Sequence, residues 1–171
     1  MLVAGSPGAG KSTLARRIAT RHDLRYVEMD ALFHGPGWTE RPTFQADVAE
    51  AVAGDTWVID SLGYASVRDL VWEHADTLVW LDLPRRAEMW RVVRRTVRRA
   101  ALRIELWNGN REPLGAWRDR DHPIWLAWHE HEGRRALVEE RLADPRWAHL
   151  EVHRLRSARQ VRTWRAEHLG R

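Results

Sequence analysis

The 171-residue chain has the length of a single domain, and its composition, 44% hydrophobic and 30% charged, is that of a soluble globular protein. It has no apolar run of about 18 residues, so no membrane span is expected, and it has no cysteine, which excludes disulfides and thiolate metal sites. Because the N-terminus also lacks a signal-peptide pattern, we expect a cytoplasmic protein with no membrane partner. The net charge of +4 favours polyanionic ligands, a class that includes both nucleotides and nucleic acids.

The first motif in the chain is GSPGAGKST at 5–13, which fits the phosphate-binding pattern G-x-x-x-x-G-K-[ST]. The apolar residues 1–4 predict a strand that leads into it, and 14–22 predict a helix that leads out, which is the context the motif requires. Backbone N–H groups and the helix N-terminus would bind the phosphates of a nucleoside triphosphate. Lys11 would contact the β- and γ-phosphates, and the Ser12 hydroxyl would bind Mg²⁺. The predicted triphosphate-binding residues are Gly8, Ala9, Gly10, Lys11, Ser12 and Thr13.

Lys11 is the only lysine among the 28 lysine and arginine residues of the chain. A flexible ammonium is therefore retained at the one position where a planar guanidinium would not substitute for it. The guanine-reading motif of GTPases contains a second lysine, so a GTPase is not expected.

Four further apolar runs predict buried strands, and helical patterns alternate with them. The predicted strands cover 24–29, 56–59, 77–81 and 149–155. The predicted helices cover 43–53, 66–74, 85–103, 123–142 and 158–168, with Thr43 and Ser157 as candidate N-caps. The breakers within 31–41 predict a loop. This alternation predicts one α/β domain over 1–171, with a parallel sheet covered on both faces and a helical lid inserted near 103–122.

Three aspartates directly follow predicted strands, at the sheet edge where open α/β folds bind their ligands. Asp60 closes a buried strand and is a candidate Mg²⁺ ligand opposite Ser12; the alternative is an ordinary strand-end carboxylate. Asp30 could accept a substrate proton or orient a substrate hydroxyl, which makes it a candidate catalytic residue. For Asp82, which precedes Pro84, a structural role in a turn is the better interpretation.

The helix predicted after Pro84 has one apolar and one basic face. The apolar face comprises Met89, Val92, Val93, Thr96, Val97, Ala100 and Ile104. The basic face comprises Arg91, Arg94, Arg95, Arg98 and Arg99. Three interpretations of the basic face stay open: a solvated surface, a clamp on transferring phosphates, or a nucleic-acid patch.

Taken together, these motifs resemble those of the P-loop kinases related to adenylate kinase. Within them the chain is similar to a bacterial group labelled DNA topology-modulation proteins or adenylate-kinase-like ATPases. The matching segments are 5–13, 29–32 with Gly37 and Trp38, 57–60, 81–86, 106–111 and 155–161. The resemblance implies a three-layer P-loop NTPase fold, with a five-stranded parallel sheet in the order 2-3-1-4-5 and a helical lid.

The resemblance also implies roles for single residues. Arg91 would lie against the adenine ring, and Arg95 would contact the ATP phosphates and act in catalysis. Arg98 and Arg111 would belong to the lid, and the segment at Ser157 would pass the adenine base. In nucleoside monophosphate kinases an arginine soon after the third strand holds the acceptor phosphate. Here 61–64 has none, and the nearest arginine is Arg68.

The expected acceptor pocket therefore contains Asp30, Trp38 and Arg68, and the sequence does not identify its ligand. The cluster at 129–132 is not a metal site, because helical positions i and i+2 do not face each other. We expect an ATP-dependent small-molecule kinase that uses Mg²⁺. The alternatives are a nucleic-acid-associated P-loop ATPase and a plain ATP-binding module.

Overall fold

The computed structural model of the chain describes residues 1–110 and 128–170. The described residues form a parallel five-stranded sheet in the order β2-β3-β1-β4-β5. The strands are β1 (Leu2–Gly5), β2 (Arg25–Val27), β3 (Trp57–Ile59), β4 (Thr77–Leu81) and β5 (Glu151–Leu155). The predicted α/β fold and strand order are thereby confirmed. Arg111 and most of the expected lid lie outside the described residues, so the single domain with a lid stays a prediction.

Helices follow or precede each strand. They are α1 (Lys11–His22), α2 (Met29–Phe33), α3 (Phe44–Val52), α4 (Arg68–Glu73), α5 (Arg85–Ala101), α6 (His131–Ala143) and α7 (Ala158–His168). Short 3₁₀ turns cover Pro36–Trp38, Trp107–Gly109 and Pro145–Trp147. Within 1–110 and 128–170, none of the helices combines the length and the apolar character needed to cross a membrane.

One of the two candidate N-caps works as predicted. The Ser157 hydroxyl accepts a hydrogen bond from the Gln160 N–H at 3.2 Å and so caps α7. Thr43 precedes α3, but its hydroxyl donates to the Asp47 carboxylate at 2.9 Å and does not cap the backbone.

The predicted strand over 24–29 is too long, and its predicted end at Asp30 is wrong. β2 stops at Val27, and α2 begins two residues later. No β-branched residue lies between 28 and 33, and the Ala31 N–H donates to the Glu28 carbonyl oxygen at 3.1 Å, which starts the helical turn. Asp30 therefore lies in the first turn of α2 and not at a strand end.

Two hydrophobic clusters cover the two faces of the sheet. Alternate residues of β1 point to opposite faces, since Leu2 and Ala4 belong to one cluster and Val3 belongs to the other. The first cluster includes residues of α3, α4 and α6: Phe44, Val48, Val71, Trp72 and Val138. The second includes residues of α1 and α7: Leu14, Ile18 and Trp164. This is the expected three-layer arrangement, and it places the loops after β1, β3 and β4 at one edge of the sheet.

Candidate active site

The loop between β1 and α1 packs tightly against α5. Gly8 has a φ of +84°, a left-handed conformation that L side chains rarely adopt. A Cβ at this position would lie 2.5 Å from the Glu88 carbonyl oxygen and 2.7 Å from Val92 Cγ2. Gly10, with a φ of +99°, is the N-cap of α1. The loop thus has the glycine-dependent backbone and the helix N-terminus of an anion-binding site.

Lys11, the first residue of α1, folds back over this loop. Its Nζ donates a hydrogen bond to the Ser6 carbonyl oxygen at 3.0 Å. Burial lowers the pKa of Lys11 to about 8, whereas the nearby carboxylates of Asp30 and Asp60 favour the charged form and limit the shift. The ammonium group therefore lies where a bound phosphate would offset its desolvation.

Ser12 and Asp60 are brought together, as a shared metal site would require. The Asp60 side chain is buried, it is hydrogen-bonded to the Ser12 side chain, and its Oδ2 accepts from the Tyr26 hydroxyl at 2.9 Å. The Met29 N–H donates to Oδ1 at 3.3 Å. Burial raises the pKa of Asp60, and these hydrogen bonds oppose the shift. The sequence did not single out Tyr26, whose contact joins β2 to the residue after β3.

Asp30 faces a tyrosine that the sequence also left without a role. The Tyr64 hydroxyl donates to Asp30 Oδ1 at 3.0 Å. The Tyr64 ring stacks on Phe33, with 3.8 Å between ring centroids and an interplanar angle of 9°, and meets Phe44 edge-on. Burial and the Asp30 charge raise the pKa of Tyr64, so its hydroxyl keeps its proton. The stack fixes this hydroxyl, and the hydroxyl orients the Asp30 carboxylate.

The other two expected acceptor residues lie on separate elements. Arg68 begins α4, and its Nε donates to the Gly63 carbonyl oxygen at 3.1 Å. Trp38 is 39% exposed, and its ring meets His34 edge-on at 5.2 Å. His34 in turn lies within the electrostatic reach of Asp30. Arg68 thus contacts the residue before Tyr64, and Tyr64 contacts Asp30. Trp38 contacts His34, which lies near Asp30.

The basic helix approaches the phosphate-binding loop with two of its arginines. Arg91 Nη1 donates to the Ala9 carbonyl oxygen at 3.2 Å, so in this structure the guanidinium contacts the loop. Arg95 lies close enough to Lys11 to disfavour its charge. Arg98 is exposed one turn further along α5, while Ser157 follows β5 as the cap of α7. The expected contacts of these residues with adenine, phosphate or lid stay predictions.

The buried face of α5 is narrower than predicted. It comprises Glu88, Val92, Thr96 and Ala100, a stripe with i, i+4 spacing. Val97, which was expected on the apolar face, is 42% exposed. The stripe begins with Glu88, one residue before the predicted face, and a hydrophobic pattern could not reveal a buried carboxylate at that position.

Arg134 on α6 is a site residue that the sequence analysis missed. Its charge acts on Lys11, on Tyr64 and on Arg68, which places it between the phosphate loop and the acceptor side. Its Nη2 pairs with Glu130 Oε2, one turn earlier, at 2.6 Å. Its i, i+4 spacing from Glu130 was visible in the sequence, but only the packing of α6 shows that Arg134 faces this site.

Glu88 and His131 form a buried pair behind the loop. Glu88 is 2% exposed, and its Oε2 lies 3.3 Å from His131 Nε2, which also contacts the Leu83 carbonyl oxygen at 3.1 Å. Burial raises the pKa of Glu88 to about 7, while the nearby Lys11 and Ser6 side chains oppose the shift. The pair joins α5 to α6, and Glu88 connects both to the phosphate loop.

Asp82 is held in an ion-pair network, in agreement with its interpretation as a structural residue. Its side chain is 5% exposed, and its Oδ2 accepts from Arg154 Nε at 2.8 Å. Arg135 Nε lies 3.6 Å from Oδ1. Arg154 also lies over the Trp80 ring and pairs with Glu139. The network fastens β5 and α6 to the end of β4.

Comparison with known proteins yields similarity of structure alone. No protein-family model matches the chain, and no curated protein matches it. A gluconokinase from Sinorhizobium meliloti 1021 is similar in structure, with a TM-score of 0.50 and 21% identity over 92% of this chain and 81% of its own. A sugar kinase from Janibacter sp. HTCC2649 has a TM-score of 0.36 and 21% identity, over 88% of this chain and 96% of its own.

At 21% identity the first similarity shows a shared fold, and the lower TM-score of the second supports no further argument. The sheet order and the phosphate-binding loop agree with that fold, which is the fold of a P-loop kinase. Neither comparison bears on the resemblance to the DNA topology-modulation group, which stays a prediction. The chain is thus similar in fold to a P-loop kinase.

Proposed function

We propose that this protein is an ATP- and Mg²⁺-dependent kinase that phosphorylates a hydroxyl group of a small molecule. The observation that carries the proposal is the second carboxylate beside Lys11. Asp60 contacts Ser12, with which it would hold Mg²⁺, and Asp30 is a further carboxylate that accepts a hydrogen bond from Tyr64. Transfer to a hydroxyl needs a group that orients the nucleophile and accepts its proton, and a carboxylate separate from the Ser12–Asp60 contact can do both.

The donor half of the proposed site consists of the phosphate loop, Lys11 and the arginines of α5. Ser12 and Asp60 supply a hydroxyl and a carboxylate, the hard oxygen ligands that Mg²⁺ prefers, and their mutual contact fits a shared ion. When bound, Mg²⁺ would neutralise charge on the transferring phosphate. Arg91 and Arg95 approach the loop from α5 and would stabilise the charge that develops on the phosphate oxygens.

In the acceptor half, Asp30 would receive the proton that the acceptor hydroxyl loses. As the hydroxyl oxygen forms its bond to the γ-phosphorus, the bond between that phosphorus and the ADP oxygen breaks. Tyr64 occupies Oδ1 of Asp30, so the other carboxylate oxygen is available for the proton. Lys11 would stay with the transferring phosphoryl group throughout.

The acceptor side is rich in positive charge. Burial and the guanidinium groups of Arg141 and Arg134 lower the pKa of Arg68. Asp69 offsets part of this effect, and an added anion would further stabilise the charge of the Arg68 guanidinium, which also donates to a backbone carbonyl. We therefore expect an acceptor that carries a carboxylate or phosphate as well as the reacting hydroxyl. The similarity in fold to a gluconokinase is a reason to place sugar acids in the first acceptor panel.

The experiment is an acceptor screen that follows ADP release with Mg²⁺-ATP. The panel pairs each sugar acid, sugar phosphate and nucleoside monophosphate with its uncharged analogue. We expect a charged acceptor to accelerate ADP release, and Asp30→Asn to remove this acceleration. The exposed α1 residue Arg17 offers a control, Arg17→Ala, that should behave like the wild type.

Two outcomes would favour the alternatives. ATP hydrolysis that no acceptor accelerates would indicate a plain ATPase or ATP-binding module. Binding of DNA or RNA with an affinity that falls steeply with salt, without acceptor phosphorylation, would indicate that the α5 arginines bind nucleic acid.

A further inference from the structure

The segment Leu106–Asn110, which we call the WNGN segment, has no part in the chemistry described above. It contacts the loop 34–40, here called the acceptor loop, which carries Trp38. This loop is tightly closed, since His34 and Glu40 form an antiparallel bridge and the Gly35 N–H donates to the Thr39 carbonyl oxygen at 2.6 Å. The two segments face each other through the turns Pro36–Trp38 and Trp107–Gly109.

Asn110 joins the two segments with every polar atom of its side chain. It is 5% exposed. Its Nδ2 donates to the Gly35 carbonyl oxygen at 2.8 Å and to the Trp107 carbonyl oxygen at 2.9 Å, and its Oδ1 accepts from the Trp38 N–H at 3.1 Å. Breaking the hydrogen bonds of a buried amide whose nitrogen and oxygen are both paired costs free energy. Asn110 therefore holds the two segments in a fixed relative position.

The residue that Asn110 holds has an unusual backbone. Trp38 has a φ of +62°, and Gly37 before it has a φ of +69°. For a bulky side chain the left-handed region is an outlier that persists only where its surroundings impose it. The Trp38 N–H donates a hydrogen bond to Asn110, and the indole contacts His34, at 5.2 Å, and Trp107, at 6.3 Å.

We propose that Asn110 is a positioning residue that holds Trp38 in its left-handed conformation and thereby places the indole as a wall of the acceptor pocket. His34 links this wall to Asp30, because its ring contacts Trp38 and it lies within the electrostatic reach of the Asp30 carboxylate. The proposal rests on the proposed kinase function for the identity of the pocket, but not for the conformational role of Asn110. Asn110 acts on the acceptor through Trp38 and does not touch it.

Hydrogen–deuterium exchange of the nucleotide-free protein tests the conformational role without any reaction. Asn110→Ala should speed exchange in the 34–40 peptide by on the order of tenfold, because the amide of Trp38 loses its acceptor. Asn108→Gly is the matched control: it lies on the same turn, keeps the left-handed backbone, and removes a side chain that bonds to His34 and not to Trp38. Unchanged exchange in Asn110→Ala, or equal acceleration in both variants, would overturn the proposal.

The positioning role is tested with the acceptor found in the screen and with a double-mutant cycle. Asn110→Ala should raise the KM for the acceptor by on the order of tenfold and leave the KM for ATP unchanged. In a Trp38→Gly background, where the indole is already absent, Asn110→Ala should add no further rise. Equal effects in both backgrounds, or a rise in the KM for ATP alone, would refute the role. If the screen finds no acceptor, the kinase proposal fails, while the exchange experiment still decides the role of Asn110.

Discussion

Replacing Glu88 with glutamine tests the buried pair behind the phosphate loop. Burial raises the pKa of the Glu88 carboxyl from its ordinary 4.5 to about 7. Between these two pH values the folded state keeps a proton that the unfolded state has lost. The folded state therefore binds more protons, and the free energy of unfolding decreases as pH rises. The stability that this proton contributes is complete below about pH 4.5 and is lost as pH rises through 7. At about 1.4 kcal/mol per pH unit, the full effect is about 3 kcal/mol.

Glutamine has nearly the same shape and no charge, so Glu88→Gln should lack this pH dependence. The assay is urea denaturation of both proteins at several pH values from 5 to 8, with the free energy of unfolding compared at each. The stability of the variant relative to wild type should increase by about 2–3 kcal/mol over this range. The exposed Glu50 on α3 provides the control Glu50→Gln, which should stay parallel to wild type. A constant difference between Glu88→Gln and wild type would refute the argument.

Three further substitutions test the site and its frame. Lys11→Ala should slow ATP turnover, measured as ADP release, by on the order of 10²–10³, because it removes the cation that stays with the transferring phosphoryl group. Tyr64→Phe should lower the kcat of acceptor phosphorylation by on the order of tenfold with little change in the KM for ATP, since Asp30 loses its orienting hydrogen bond. Asp82→Ala should destabilise the fold by about 2 kcal/mol in urea denaturation and leave both KM values unchanged, because Arg154 and Arg135 lose their buried partner and keep only Glu139.

Each of these expectations has a clear contrary result. If Lys11→Ala released ADP at the wild-type rate, the phosphate loop would have no role in the reaction. If Tyr64→Phe changed only the KM for ATP, Tyr64 would act on the nucleotide and not on the acceptor. Wild-type stability of Asp82→Ala would mean that its ion pairs contribute nothing to the fold.

Much of the fold could be predicted because its signals are local. The phosphate-binding motif, the short apolar strands and the Ser157 cap depend on neighbouring residues, and the three-layer sheet agrees with them. The end of β2 at Val27 was not predicted. The local signal for it is weak, since residues 28–33 contain no strong turn signal and only lack β-branched residues.

Lys11, Ser12 and Asp60 were singled out by a motif and a strand end, and the structure brings them close together, while their roles stay predictions. The site was not predicted where a residue acts through a distant contact. Tyr64 contacts a carboxylate 34 positions earlier in the chain. Arg134 is one of many helix arginines, and nothing in its helix pattern indicates that its charge acts on Lys11 and Arg68.

By itself the sequence predicted a phosphate-binding loop on a parallel sheet, because glycine spacing, a single lysine and buried strands are local properties of the chain. The tertiary structure alone decided what surrounds the loop. It placed Glu88 against His131, Tyr64 against Asp30 and Asn110 against Trp38. These contacts join segments that meet only after the helices have packed, so no pattern in either segment could have shown them.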